Sequence, residues 1–326
     1  MKKYLKDLEE ELRKNNLSER EIEEILADHE EMIEAAINEG LSADELNTKF
    51  GDPKTVAEEL SGFSESKSND EDDKEHEKQS GKTKVFDNID DNYNVNIALI
   101  NEDIMIQTND LNSITVEFFG GIDIDKYQIE YKNNTFTMKS PKEIRKSYFG
   151  FSKNRRFVVK LPKNLKISDF EMKLINSDAK VDEILSVKTL VDTKNGDLKL
   201  SNIKTEEFRF NSINGDSSFK TIRCDNLKIS TISGDMKIED LKVKGDMFVN
   251  TVSGDLRIKD SECLNVTLKT VSGDVEATEF YPGTISVSSV SGDIKIVNTD
   301  SSRPITVSHK RTLSGDVDII LKKKKE

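Results

Sequence analysis

Across the second half of the chain, apolar and polar residues alternate in short runs that return at a fixed distance. Counting from an aspartate, an apolar or small residue stands one position later (Ala179, Leu198, Ser217, Met236, Leu256, Val275, Ile294, Val317). Another stands three positions later (Val181, Leu200, Phe219, Ile238, Ile258, Ala277, Ile296, Ile319). Farther on, pairs two apart recur: Phe208/Phe210, Leu227/Ile229, Met247/Val249, Val266/Leu268, Ile285/Val287 and Ile305/Val307. A last apolar residue (Ile213, Ile232, Val252, Val271, Val290, Leu313) precedes the next polar corner. Apolar residues two apart mark half-buried strands, because successive side chains point to opposite faces. Each repeat therefore predicts two or three short strands, with all of these apolar residues turned inward.

The corner itself is Ser or Asn, then Gly, then Asp. It places Gly196 and Asp197, Gly215 and Asp216, Gly234 and Asp235, Gly254 and Asp255, Gly273 and Asp274, Gly292 and Asp293, and Gly315 and Asp316 at successive corners. The gaps between the aspartates are 19, 19, 20, 19, 19 and 23 residues, and an imperfect eighth copy, Asn176-Ser177-Asp178, lies 19 residues upstream. A fixed period of this length is the signature of a solenoid, whose coils bury their apolar faces only by stacking on their neighbours. Glycine supplies backbone angles that other residues reach with strain, and the flanking Ser/Asn and Asp can bond local backbone. Eight rungs at about 4.8 Å would span roughly 40 Å. A hydroxyl column (Thr193, Ser212, Thr231, Thr251, Thr270, Ser289, Thr312) reads as a ladder bonding from rung to rung.

The rest of the chain follows other patterns. Residues 1–62 read as a small helical bundle. Tyr4, Leu5, Leu8 and Leu12 recur at helical spacing; Ser18 with Glu21 and Ser42 with Glu45 form capping boxes. The apolar stripe Ile22, Ile25, Leu26, Ile33, Ala36 and Ile37 ends at Gly40, and Asp52-Pro53 opens a last helix carrying Val56, Ala57 and Leu60. Residues 63–84 are polar and charged, too poor in apolar surface to order themselves, and read as a disordered linker. Residues 85–175 alternate like strands without the strict period (Val95/Ile97/Leu99, Ile104/Ile106, Ile114/Val116/Phe118). They read as a non-repeating β start that caps the solenoid of residues 176–326, since an uncovered edge invites other strands. Within them Tyr148, Phe149 and Phe151 stand beside Lys153, Arg155 and Arg156, for which edge packing or a ligand or membrane contact can account. The carboxyl end, Lys322 to Lys325, blunts the last edge by charge. The fold expected is thus multidomain, α plus all-β.

Charge sharpens the division. The chain of 326 residues carries a formal net charge of −13. Residues 1–62 hold 18 acidic and 8 basic side chains, so nucleic acid, which needs a basic face, is excluded there. The partner expected for this bundle is a basic or apolar protein surface, met by Glu23, Glu24, Glu30, Glu31 and Glu34. No run approaches the ~18 apolar residues of a membrane span, and Met1 to Asp7 leads into acidic sequence rather than a signal peptide's apolar core. The expected address is cytoplasmic, with a peripheral place at the membrane or a surface location as alternatives. Cys224 and Cys263 fall in one column two rungs apart, beyond the ~7 Å that a disulfide tolerates, and should be free thiols. His29, His76 and His309 are scattered, and neither a nucleophile-base pair, a phosphate loop nor a Cys/His metal set stands out. The expectation is a protein without enzymatic activity, cofactor or metal, its aspartates capping corners; a carboxylate array that binds cations is the competing reading.

Two resemblances rest on specific residues. Asn38-Glu39-Gly40 followed by Phe50-Gly51-Asp52-Pro53-Lys54-Thr55-Val56-Ala57-Glu58-Glu59-Leu60 resembles the HAAS signalling domain of Gram-positive bacteria. Val159 to Pro162 with the recurring Thr251 to Asp255 and Thr270 to Asp274 resembles the bacterial β-strand-repeat family labelled "putative adhesin". Together they imply an interaction scaffold in envelope stress response or signalling, with the helical domain recruiting a protein and the solenoid serving as a platform. The alternatives are a surface adhesin that binds an envelope polymer or membrane, and a self-assembling cytoskeletal element.

Overall fold

The computed structural model describes residues 2–14, 19, 22, 26, 52–54, 57, 82–120, 123–141 and 155–321, which fall into two compact units divided near residue 78. The linker expectation, the capping boxes, the aromatic-basic insertion and the lysine tail lie wholly or mainly outside these residues.

In the first unit, helix α1 (Lys2–Lys14) places Leu8 and Leu12 one turn apart on a single face. Both are fully buried and meet Ile22 and Ala57, with Tyr4 and Leu26 packed at the margin. Arg13 and Lys14 close its last turn, where positive charge suits the helix dipole, and they pair with Glu9 and Glu11.

The second unit is the β-solenoid. Each coil has one strand after its Gly-Asp corner and one before the next. The strands after corners are β10 (Leu198–Lys204) and β12 (Ser217–Cys224), and those before are β11 (Glu207–Ser212) and β13 (Asn226–Thr231). In β9 (Ala179–Asn195), β14 (Met236–Thr251), β15 (Leu256–Thr270) and β16 (Val275–Ser289) the two run together. The stack ends with β17 (Ile294–Asn298), β18 (Thr306–Arg311) and β19 (Val317–Leu321). Pairing is parallel and column-true: Leu198 faces Ala179 on one side and Ser217 on the other. The period of the sequence is thus the period of the stack.

Two further rungs precede the repeats. Strands β2 (Tyr93–Leu99) and β3 (Asp103–Asn109) lie parallel to β8 (Ile167–Asn176) and β9, with Val95 opposite Phe170 and Ile104 opposite Ala179. On their other side β6 (Thr135–Lys139) and β7 (Arg156–Pro162) continue the parallel order. Only then do β1 (Lys82–Asp87), β4 (Ser113–Phe119) and β5 (Gln128–Lys132) turn antiparallel and close the end. Tyr93, Phe118, Phe136, Phe157 and Phe170 fill this end of the core, while the later coils are mostly aliphatic.

The opposite corner of six successive coils is made by one left-handed residue: Glu183, Asn202, Thr221, Asp240, Asp260 and Glu279 have φ of 50–61°. No glycine marks this turn, and its varied side chains hide it from the sequence. Several tie rungs together instead, as where Asp240 receives Arg223 at 2.7 Å.

One column runs against expectation. Ile213, Ile232, Val252, Val271, Val290 and Leu313 do not point inward; they are 40–81 % exposed. The reason is parity. The hydroxyl residue just before each is buried, except for the half-buried Thr312 of the last copy, so strand alternation turns the aliphatic neighbour out.

Cys224 and Cys263 are buried and free, in register with Val243 between them. Burial pushes both thiols up to about 12, so little thiolate exists at neutral pH. The native chain is expected to leave a thiol reagent such as DTNB unconsumed at pH 8 and to consume two equivalents in denaturant; fast labelling of the native chain would contradict this burial.

Candidate functional site

The corners stack into a continuous edge, and its aspartates are its backbone. The N–H of Asp197 donates to Oδ1 of Asp178 at 2.7 Å, that of Asp216 to Asp197 at 2.9 Å, and that of Asp235 to Asp216 at 2.8 Å. The pattern continues through Asp255, Asp274, Asp293 and Asp316 at 2.8–3.1 Å. Each aspartate carbonyl meanwhile accepts from the preceding rung, as Asp216 does from Leu198 N–H at 2.9 Å. These carboxylates therefore hold the stack together, one charge-assisted bond per rung.

The ladder starts earlier than the repeat. Asp178 N–H donates to Oδ1 of Asp103 at 2.9 Å, which makes Asp103 the first rung; its burial raises the carboxyl above the usual aspartate range. Beside it Asn176 donates to Asn101, Asn195 to Asn176 and Asn214 to Asn195 at 2.8–3.0 Å. Seventy-five residues separate Asp103 from Asp178, so no period in the sequence could reveal the match.

In that first corner the glycine position is held by Glu102, which is fully buried. One carboxylate oxygen accepts from the Ser140 hydroxyl at 2.5 Å and from the backbone N–H groups of Ile100 and Asn101 at 3.2 and 3.3 Å. The other accepts from the Tyr127 hydroxyl at 3.1 Å and the Arg155 guanidinium at 3.5 Å. Burial beside this carboxylate raises the Tyr127 phenol well above its ordinary value. Tyr127 in turn packs tilted against Phe118 and edge-to-face with Phe157, its ring centroid 5.2 and 5.0 Å from theirs. Glu102 thus clamps three separate segments; a lone glutamate between strands carries no sequence signal of this.

The hydroxyl column behaves differently from the expected ladder. Thr270 accepts from Gly273 N–H at 3.1 Å and donates to its carbonyl at 2.8 Å, and Ser289 donates to the Gly292 carbonyl. Thr312 accepts from Gly315 N–H at 2.9 Å. These groups close their own corners instead of bonding between rungs, because they face into the turn.

Of the remaining surface, Asp197, Asp216 and Asp235 line a shallow groove of ≈ 250 Å³ with Lys199, Ser218 and Lys237. The cations stand two residues after their aspartates and offset the stacked negative charge, as Arg257 does 3.6 Å from Asp255. Among the described residues no three carboxylate, imidazole or thiol groups converge as a metal site. Glu23, Glu24, Glu30, Glu31 and Glu34 lie outside the described residues. Among the described residues no helix is long and apolar enough to cross a membrane.

Comparison with known proteins places this geometry. The family model described as Toastrack DUF4097 matches residues 92–247 and 222–326, and the HAAS model matches residues 3–59. No curated protein sequence matches the chain. A solved structure from Parabacteroides distasonis, a "putative lipid binding protein", is 14 % identical with a TM-score of 0.50, covering 74 % of this chain and 98 % of its own. A "putative adhesin" from Bacteroides fragilis is 15 % identical with a TM-score of 0.41, covering 73 % and 96 %. At such identity the first likeness speaks to fold alone.

Proposed function

From the premise that the chain belongs to the toastrack DUF4097 family and carries a HAAS domain at residues 3–59, we propose that it is a non-enzymatic scaffold of envelope-linked signalling or stress response. The observation that carries this reading is the corner edge. It is long, ordered and repetitive, and its carboxylates are engaged by backbone N–H groups. Its inner hydroxyls close turns. Groups so engaged hold a surface in shape and are not poised for proton transfer. No enzymatic family is indicated by the comparisons. The solenoid is then the platform, and the helical domain, with its excess of acid, recruits a protein with a basic surface on the cytoplasmic side, peripheral to the membrane.

Charge steering makes this testable, because attraction between exposed charges fades as salt shortens its range. The full chain as bait, compared with a variant carrying Glu30→Lys, Glu31→Lys and Glu34→Lys, should retrieve a partner from native lysate at low salt. Retrieval should fall about tenfold or more in the variant and with added salt. Equal retrieval by both baits, or retention of cell-wall polymer in place of protein, would overturn recruitment through the helical domain and favour an adhesin. Fractionation with protease shaving of intact cells checks the side of the membrane.

A further inference from the structure

We propose that the corner edge is a self-association surface, on which two copies of this chain pack side by side, parallel and in register. Its centre is the aliphatic ridge Ile213, Ile232, Val252, Val271, Val290 and Leu313, exposed at 40–81 %. One tooth per rung makes a straight row roughly 25 Å long. Single exposed aliphatic residues are ordinary on protein surfaces, whereas a contiguous row rimmed by polar groups marks an interface.

Pitch and flanks choose the occupant. The teeth repeat at the inter-strand spacing of about 4.8 Å, whereas a helix presents its face every ~5.4 Å and drifts by about 3 Å over six teeth. A second copy of this solenoid keeps step throughout. On one flank of the ridge runs the carboxylate column, Asp235 to Asp316; on the other run Ser230, Asn250, Lys269, Ser288 and Arg311, which all carry donors and include no acid. They stand two residues before the teeth, at the ends of the strands that lead into them, and like the teeth they lie on the half-buried or exposed side of the buried hydroxyl column. A two-fold axis parallel to the solenoid sets the donor column of each copy against the carboxylates of the other, ridge on ridge. The antiparallel arrangement instead sets carboxylates against carboxylates. The parallel pairing is isologous and therefore closes as a dimer rather than a filament.

So narrow a strip lies at the lower end of stable interfaces, which places dissociation in the micromolar range. Sedimentation velocity of the full chain at about 100 μM should show a dimer. Val252→Asp with Val271→Asp should weaken it ~100-fold or more while circular dichroism stays unchanged. Register is read by cysteine. In the parallel dimer Ile232→Cys, Val271→Cys and Val290→Cys each form a disulfide with themselves under mild oxidation, and the buried Cys224 and Cys263 do not. A monomer at that concentration, or crosslinks found only between Ile232→Cys and Val290→Cys in mixtures, would overturn the proposal. So would a monomer that sediments with phosphatidylglycerol vesicles and loses this in the Asp variant, for then the ridge seats on lipid.

Discussion

Gly254→Val is expected to abolish the cooperative melt of the solenoid. Gly254 sits at φ +107°, a region that L side chains rarely adopt, and a Cβ built on it lands against the Gly234 carbonyl, 2.8 Å from its carbon. That carbonyl is backbone and cannot swing aside, and the glycines of adjacent rungs stack directly on one another. Backbone strain and steric overlap therefore act together, and the loss should be at least ~4 kcal/mol. Coils contact only their neighbours, so the break falls in the middle of the stack and splits it in two. Urea titration followed by circular dichroism checks this. A variant that unfolds at the parental midpoint would show that the corners do not need glycine.

Glu102 yields the second large effect, and it separates consensus from structure. Every later Gly-Asp corner carries glycine at the equivalent position, so the repeat alone recommends Glu102→Gly as stabilising. The structure predicts the reverse. Removing the carboxylate takes the acceptor from the Ser140 and Tyr127 hydroxyls and the Asn101 N–H, and takes one partner among others from Arg155 and the Ile100 N–H. Taking away one partner of a buried ionic cluster destabilises by about 3–5 kcal/mol. Both Glu102→Gly and Glu102→Ala should lower the melting temperature strongly. Glu102→Gln should fall between, since it keeps the shape and some of the bonds. Calorimetry on the three variants decides, and an unchanged or raised melting point for Glu102→Gly would refute the clamp.

What the sequence revealed followed from repetition. A column filled seven times, like the corner glycines, announces its backbone, and alternation announces the strands. Inward and outward were legible only where the alternation was unambiguous. At the corner a buried hydroxyl beside an exposed valine inverts the usual sign, so hydrophobicity assigned Val252 and Val271 to the wrong side. The hydroxyl column was recognised but not its use, because its distance to backbone depends on the turn. The upstream rungs were invisible for another reason: insertions separate Asp103 from Asp178, and stacking is blind to what loops out between. The 23-residue gap before Asp316 has a similar origin. There the chain leaves the stack, and the Asn298 side chain stands in for backbone, accepting from Phe280 N–H at 2.9 Å and donating to its carbonyl at 2.5 Å. Glu102, with one copy and no period, left no trace at all.

The aspartate ladder has a direction. In every rung the donor belongs to the later coil and the side-chain acceptor to the earlier one, from Asp103 to Asp316. A ribosome supplies the chain in that same order. Each arriving corner thus meets a carboxylate already in place, held by a coil already stacked on the antiparallel end. The earlier coil is a finished template and the later one a copy laid upon it. Such a molecule can be completed one turn at a time as it leaves the exit tunnel, with little unpaired edge waiting for a distant partner.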